Sequence, residues 1–257
     1  MRKFEDIKGV LFDLDGVLYI GNQIIPGAVE AIEYLRQKQI PCRFSTNTTT
    51  KSRGVLFRKI TSLGLPIKQE EIISAPQAAI RYLRKIGQPK CYLCLNDDLK
   101  DDFSEFAQTD TNPDYVIIGD IWDKWNYEIM NRIFRFLIEG AELIALHKGR
   151  YWREPDGLHI DIGVFITGLE YASGKKAIVI GKPSPEFFTA AVEDMNLAPA
   201  EVIMIGDDIE SDVGGAQNAG LRGVLVKTGK YREDLVSKSK IVPDAIIDSV
   251  AQLSKLI

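Results

Sequence analysis

The stretch Gly9-Val10-Leu11-Phe12-Asp13-Leu14-Asp15-Gly16 decides how this chain folds. Residues 9–12 form a short apolar run, as a strand buried on both faces requires. The run ends in Asp13 and Asp15, at the carboxyl end of that strand, where open α/β sheets bind their ligands. Gly16 then permits a tight turn. Two aspartates spaced this way can aim both carboxylates into one pocket, and the repulsion between them implies a cation or a shared proton. The competing reading is a loop whose aspartates satisfy backbone amides.

Outward from this stretch, strand and helix signals alternate. Ala28, Val29, Ile32 and Leu35 recur at helical spacing and predict a helix over 27–38; a strand follows at 42–45. Val55, Leu56, Ile60 and Leu63 stripe another helix, which Gly64 stops. Further strands are expected at 92–95, 115–118, 143–146, 177–180, 202–205, 223–226 and 245–247, and helices at 76–86, 126–138, 185–196 and 212–219. Ser184-Pro185-Glu186 reads as a helix start, with a capping hydroxyl, Pro in the first position and a carboxylate in the first turn. The alternation predicts an α/β fold with a Rossmann-like parallel sheet. Between 79 and 176 the texture changes: Trp122, Trp125, Tyr127, Phe134, Phe136, Tyr151 and Trp152 accumulate, and residues 151–158 resemble a hairpin. We expect an inserted second α/β domain over 79–176, dividing a core of 1–78 and 177–257. Its aromatics are expected mainly in its own core.

Composition removes several classes of function. The 257 residues suffice for one large or two modest cores, and a net charge of −4 without a Lys/Arg cluster lacks a nucleic-acid footprint. No apolar run approaches the roughly 20 residues of a membrane span. The amino-terminal Met1-Arg2-Lys3-Phe4-Glu5-Asp6 lacks a signal-peptide core, which makes the cytoplasm the default location. Three cysteines make no disulfide framework, and Cys91-x-x-Cys94 lies in a predicted strand, where residues three apart face opposite sides. Buried thiols are the expectation. His147 and His159 are too isolated to suggest a histidine metal site.

Three more strand ends carry chemistry. Val202-Ile203-Met204-Ile205 is followed directly by Gly206-Asp207-Asp208, with Asp212 about one helical turn later. Hard oxygen ligands from separate strand ends suit Mg²⁺, which takes few carboxylates together with water and substrate phosphate. Asp207, next to the strand, is expected to bind it directly; Asp208 and Asp212 are expected to support it from behind or to cap the next helix. Ser45-Thr46-Asn47-Thr48-Thr49-Thr50 offers donors for phosphate oxygens, or a cap for the helix that follows. In Gly181-Lys182-Pro183, Lys182 supplies a point charge for a phosphoryl group. Ser173-Gly174-Lys175 and Thr228-Gly229-Lys230 lack the glycine spacing and the following hydroxyl of a P-loop, which excludes that nucleotide site.

Asp13-Leu14-Asp15-Gly16-Val17-Leu18-Tyr19, Thr46-Asn47, Gly181-Lys182-Pro183-Ser184-Pro185-Glu186-Phe187-Phe188 and Gly206-Asp207-Asp208 with Asp212 resemble, in order and spacing, the four motifs of the haloacid dehalogenase superfamily, in its type II-A branch. Asp212-Val213-Gly214-Gly215-Ala216-Gln217 and Lys227-Thr228-Gly229-Lys230-Tyr231 narrow the resemblance to one subgroup. It covers essentially the whole chain and is weakest in the insert, where Asp161-Ile162-Gly163-Val164-Phe165 replaces the branch's Pro-Gly-rich loop. The resemblance implies the haloacid dehalogenase fold with an inserted C2-type cap, and a Mg²⁺-dependent phosphatase working through an aspartyl-phosphate on Asp13. It implies Asp15 as general acid and base, and Mg²⁺ held by Asp13, the Asp15 main-chain oxygen and Asp207. Thr46, Asn47 and Lys182 are then left to bind the phosphate. The implied substrate is a small phosphate monoester, phosphoamino acid or pyrophosphate, and a homodimer through the cap is implied too. The rival is a regulatory protein that accepts or binds phosphate without turnover.

Overall fold

A computed structural model of the protein describes residues 3–154 and 157–257. They fall into two compact units. One comprises residues up to Thr46, Arg53–Ile73 and Lys182–Ile257; the other comprises Asn47–Ser52 and Ser74–Gly181. The limits of the second unit lie outside the expected 79–176 on both sides.

The first unit is built on a six-stranded sheet. From one edge to the other its strands are Ala245–Ile247, Arg222–Val226, Val202–Gly206, Gly9–Asp13, Cys42–Thr46 and Ile72–Ser74. Gly9–Asp13 is buried along its whole length and pairs in parallel with Val202–Gly206 on one side and Cys42–Thr46 on the other. That placement explains its unbroken apolar run: a central parallel strand meets packed side chains on both faces. The register sets Asp13 opposite Ser45 and Phe12 opposite Ile205, so the chain segments that follow all three strands leave the sheet at one edge. Phe12 and Phe44 stack at 5.8 Å between ring centroids within the core. The buried Ser45 hydroxyl donates to the Phe12 carbonyl oxygen at 2.9 Å, tying neighbouring strands just below their ends.

Helix Ala28–Gln37 buries Ala28, Ala31, Ile32 and Leu35, and helix Arg53–Ser62 buries Leu56 and Ile60. These are the stripes that helical spacing predicted. Two helix starts differ from expectation. The Ser184 hydroxyl contacts the Glu186 carboxylate and makes no capping bond to helix Pro185–Met195. The helix expected over 212–219 begins earlier, with a wide π-type turn, Ile209–Gly214, before the short helix Gly215–Asn218. Asp208 supplies the reason: its Oδ1 accepts from the amides of Glu210 and Ser211 at 3.0 and 2.9 Å, starting the helical turn directly after the strand.

The second unit has its own four-stranded parallel sheet, in the order Ile178–Val179, Glu142–Ala145, Tyr115–Ile118 and Cys91–Cys94. Helices Tyr127–Ile138 and Gly163–Ser173 contribute Ile133, Phe136, Leu137, Ile166 and Leu169 to its core. The aromatics divide. Trp125 stacks on Phe165 at 4.3 Å and Tyr92 lies 5.1 Å from Phe136, whereas Trp122, Tyr127 and Tyr151 are exposed. Strands Tyr151–Glu154 and Gly157–Ile160 pair antiparallel, as the hairpin expectation requires; the connection at 155–156 lies outside the described residues. Cys42, Cys91 and Cys94 are all buried and unbridged. No helix among the described residues is long and apolar enough to cross a membrane.

Candidate active site

At the carboxyl edge of the six-stranded sheet the chain concentrates charge. Asp13 closes the central strand, and its Oδ1 accepts from Lys182 Nζ at 2.5 Å. The same ammonium donates to Asp212 Oδ1 at 2.7 Å. Lys182 is buried, and so are Asp13, Asp207 and Asp212. Burial opposes the charge of Lys182, but the adjacent Asp13 and Asp212 outweigh it and hold the lysine above its ordinary value. Burial and the neighbouring Asp13 and Asp212 carboxylates push Asp207 well above the usual carboxylate range. Asp212 is raised as well, chiefly by burial, with Lys182 acting against it.

Ligand atoms of Asp13, Asp207 and Asp212 all lie within 4.8 Å of one another. Three buried carboxylates around one buried ammonium leave an excess of negative charge where little water reaches to disperse it. An all-oxygen donor set of this kind fits a hard divalent cation. Among the described residues no other cluster of His, Cys, Asp or Glu could hold a metal.

The remaining residues singled out in the sequence fall as follows. Asp15 is exposed, and its bridge with Tyr19 closes the turn after Asp13, where the Gly16 amide donates to the Tyr19 carbonyl oxygen at 2.7 Å. Loss of solvent around the carboxyl raises Asp15 above the ordinary carboxylate value, with Lys59 and Lys230 opposing the shift. Thr46 is buried at the end of its strand. Asn47 belongs to the second unit, where its Oδ1 would crowd a Cβ added at Gly181. Asp208 is half-buried and capped onto the helical turn, while its own amide donates to Asp212 Oδ2 at 3.2 Å. Asp212 thus stands among the carboxylates that could hold a cation, as well as bracing the loop.

Lys59 and Lys230 were given no role by the sequence reading. Lys59 lies over the Tyr19 ring at 4.5 Å from its centroid, and Lys230 directs its charge toward Asp13, Asp207, Asp208 and Asp212. Lys59 sits within an ordinary helical stripe, so its sequence context carries no signal. Lys230 did stand in Thr228-Gly229-Lys230, a run that the sequence reading used only to exclude a P-loop and to narrow the resemblance, shortly after the strand Arg222–Val226.

The profile of the haloacid dehalogenase-like hydrolase family matches residues 10–107, and a second profile, described as haloacid dehalogenase hydrolase-like, matches residues 179–253. The chain is 45% identical over 226 residues to haloacid dehalogenase-like hydrolase domain-containing protein 2 of Bos taurus, covering 88% of this chain and 86% of that one. It is 39% identical over 263 residues to phospholysine phosphohistidine inorganic pyrophosphate phosphatase of Homo sapiens, covering 100% of this chain and 96% of that one. Among solved structures, the p-nitrophenyl phosphatase from Archaeoglobus fulgidus matches with a TM-score of 0.91 at 27% identity, over 97% of this chain and 99% of that one. NagD from E. coli K-12 matches with a TM-score of 0.88 at 29% identity, over 96% and 98% respectively.

Proposed function

The chain belongs to the haloacid dehalogenase-like hydrolase family and is a phosphatase, and on that premise we propose that it works through an aspartyl-phosphate on Asp13 with Mg²⁺ as cofactor. The observation that carries this reading is the buried group of Asp13, Lys182, Asp212 and Asp207 at the strand ends. Phosphoryl transfer calls for positioning and charge neutralisation, and the cluster supplies both. Lys182 donates to the Asp13 carboxylate and orients it, so that an Asp13 oxygen can attack phosphorus and displace the leaving oxygen. Asp15, whose carboxyl is raised above its ordinary value, is the acid in this scheme and donates a proton to that leaving oxygen. The resulting carboxylate takes a proton from the water that attacks the aspartyl-phosphate, and Asp13 is regenerated. Lys182 and Thr46 hold the non-bridging oxygens, and Asn47, next in the chain, has the same task.

Asp13, Asp207 and the Asp15 main-chain oxygen hold Mg²⁺ in this scheme, with Asp212 beside them. Bound there, the cation neutralises charge between carboxylate and phosphate. The insert, 79–176 in the sequence reading, acts as a cap that excludes water and selects the substrate. A homodimer through that insert belongs to the same reading, and light scattering checks it. Substrates of the right class are small phosphate monoesters, phosphoamino acids and pyrophosphate.

The test is hydrolysis of p-nitrophenyl phosphate with Mg²⁺, with EDTA, and by Asp13→Asn. Turnover is expected only for the unmodified chain with Mg²⁺. Near-normal rates from Asp13→Asn refute the nucleophile assignment, and a long-lived phospho-Asp13 without turnover indicates a phospho-accepting regulator instead.

A further inference from the structure

The loop Thr228-Gly229-Lys230 does not belong to any of the four strand-end motifs, yet it closes on Asp207 from the far side of the sheet edge. The Lys230 amide donates to Asp207 Oδ2 at 2.6 Å. Thr228 Oγ1 donates to the Gly16 carbonyl oxygen at 2.5 Å, linking this loop to the turn that follows Asp13 and Asp15. Gly16 and Gly229 pack against each other, and both abut the Asp207 carboxylate. A Cβ at either glycine would collide with Asp207 Oδ2, and one at Gly229 would lie 2.5 Å from the Gly16 Cα. Both glycines also have positive φ, 90° and 61°. The Asp207 carboxylate is therefore held at Oδ2 by an amide and two glycine turns, which a hydroxyl crosslink ties together.

We infer that Thr228-Gly229-Lys230 is a positioning loop that holds the Asp207 carboxylate in its cation-binding orientation and thereby sets the affinity of the site for Mg²⁺. The inference rests on the reading of Asp207 as a Mg²⁺ ligand. A carboxylate locked before the cation arrives loses no rotamer freedom on binding it, whereas a loosened one must be ordered at that moment. The turn needs glycine at 229, because its positive φ is open to glycine and strained for a residue that carries a Cβ.

The test is Mg²⁺ binding by isothermal titration calorimetry on the full chain, read beside the thermal midpoint of the metal-free protein. Gly229→Ala is expected to raise the Mg²⁺ Kd about tenfold or more, about 1.4 kcal/mol of binding. Thr228→Val, which deletes only the crosslinking hydroxyl, is expected to raise Kd several-fold, and Thr228→Ser to restore it. Gly21→Ala is the control for backbone strain: its φ is 59°, and an added Cβ there meets nothing within 4 Å. That variant is expected to lose stability and keep its Kd. Unchanged Kd in both Gly229→Ala and Thr228→Val overturns the inference, and if Gly229→Ala does not fold, Thr228→Val with its serine rescue decides alone. Asp207→Asn separates the two readings. If Asp207→Asn binds Mg²⁺ like the unmodified chain, the metal assignment fails; if it loses binding while the loop variants keep theirs, only the positioning role fails.

Discussion

Lys182 touches two carboxylates at 2.5 and 2.7 Å with its side chain only 3% exposed. A buried ammonium is stable only where the fields around it replace lost hydration, and Asp13 and Asp212 do so here. Replacing it with methionine keeps most of the volume and removes the charge. Lys182→Met is expected to lower kcat for p-nitrophenyl phosphate by about 100-fold or more, the scale of losing one preorganised charge-stabilising donor. The metal-free variant should also melt at lower temperature, because Asp13 and Asp212 lose their shared partner. Steady-state kinetics and calorimetry check both, and a kcat within threefold of the unmodified chain removes Lys182 from the phosphoryl site. Asp208 and Asp212 show how similar residues separate at this scale. Asp208 caps the helical turn Ile209–Gly214 through two amides, while Asp212, inside that turn, contacts the lysine.

Among the elements, the strands govern the cysteines. Cys42 opens the strand beside the central one, and Cys91 and Cys94 are the first and last residues of an edge strand in the second sheet. Burial pushes Cys42 and Cys91 up to about 11 and Cys94 up to about 12. A raised thiol pKa leaves the neutral form in place at pH 8, and the thiolate is the reactive species. Native protein at pH 8 is therefore expected to react negligibly with Ellman's reagent, and guanidinium-unfolded protein to react at all three thiols. Rapid labelling of a native thiol would show that its strand opens readily. A Cys-x-x-Cys spacing across a strand does not make a redox pair: at a period of two, positions three apart point to opposite faces.

For the molecule as a whole, the instructive feature is the continuity of the second unit. Apart from residues 47–52 it is one uninterrupted segment, Ser74–Gly181, with a four-stranded sheet and a core of its own. The first unit draws its sheet from both sides of that segment. A fragment spanning 74–181 is expected to fold alone, with cooperative thermal unfolding by circular dichroism, because it contains every strand of its sheet and most of its buried partners. A fragment of 182–257 should stay unfolded, since its strand Val202–Gly206 would lack the central partner Gly9–Asp13. A non-cooperative melt of 74–181 would mean that the unit depends on the rest of the chain.

Much of this was readable from the chain alone. The apolar run before Asp13, the second before Asp207 and the regular alternation of helix and strand are local signals, since burial on both faces of a parallel strand writes itself into consecutive residues. They were enough to identify the α/β fold and the strand ends where polar residues gather. What local signals could not supply was partnership. Nothing near Lys182 in sequence foretells its grip on Asp13 and Asp212, 169 and 30 residues away. Nor does anything near Asp207 foretell that its carboxylate packs against both Gly16 and Gly229. A glycine in sequence states only that its backbone is permissive. Which carboxylate needs that missing side chain is decided when strand order brings distant turns together at one edge of the sheet.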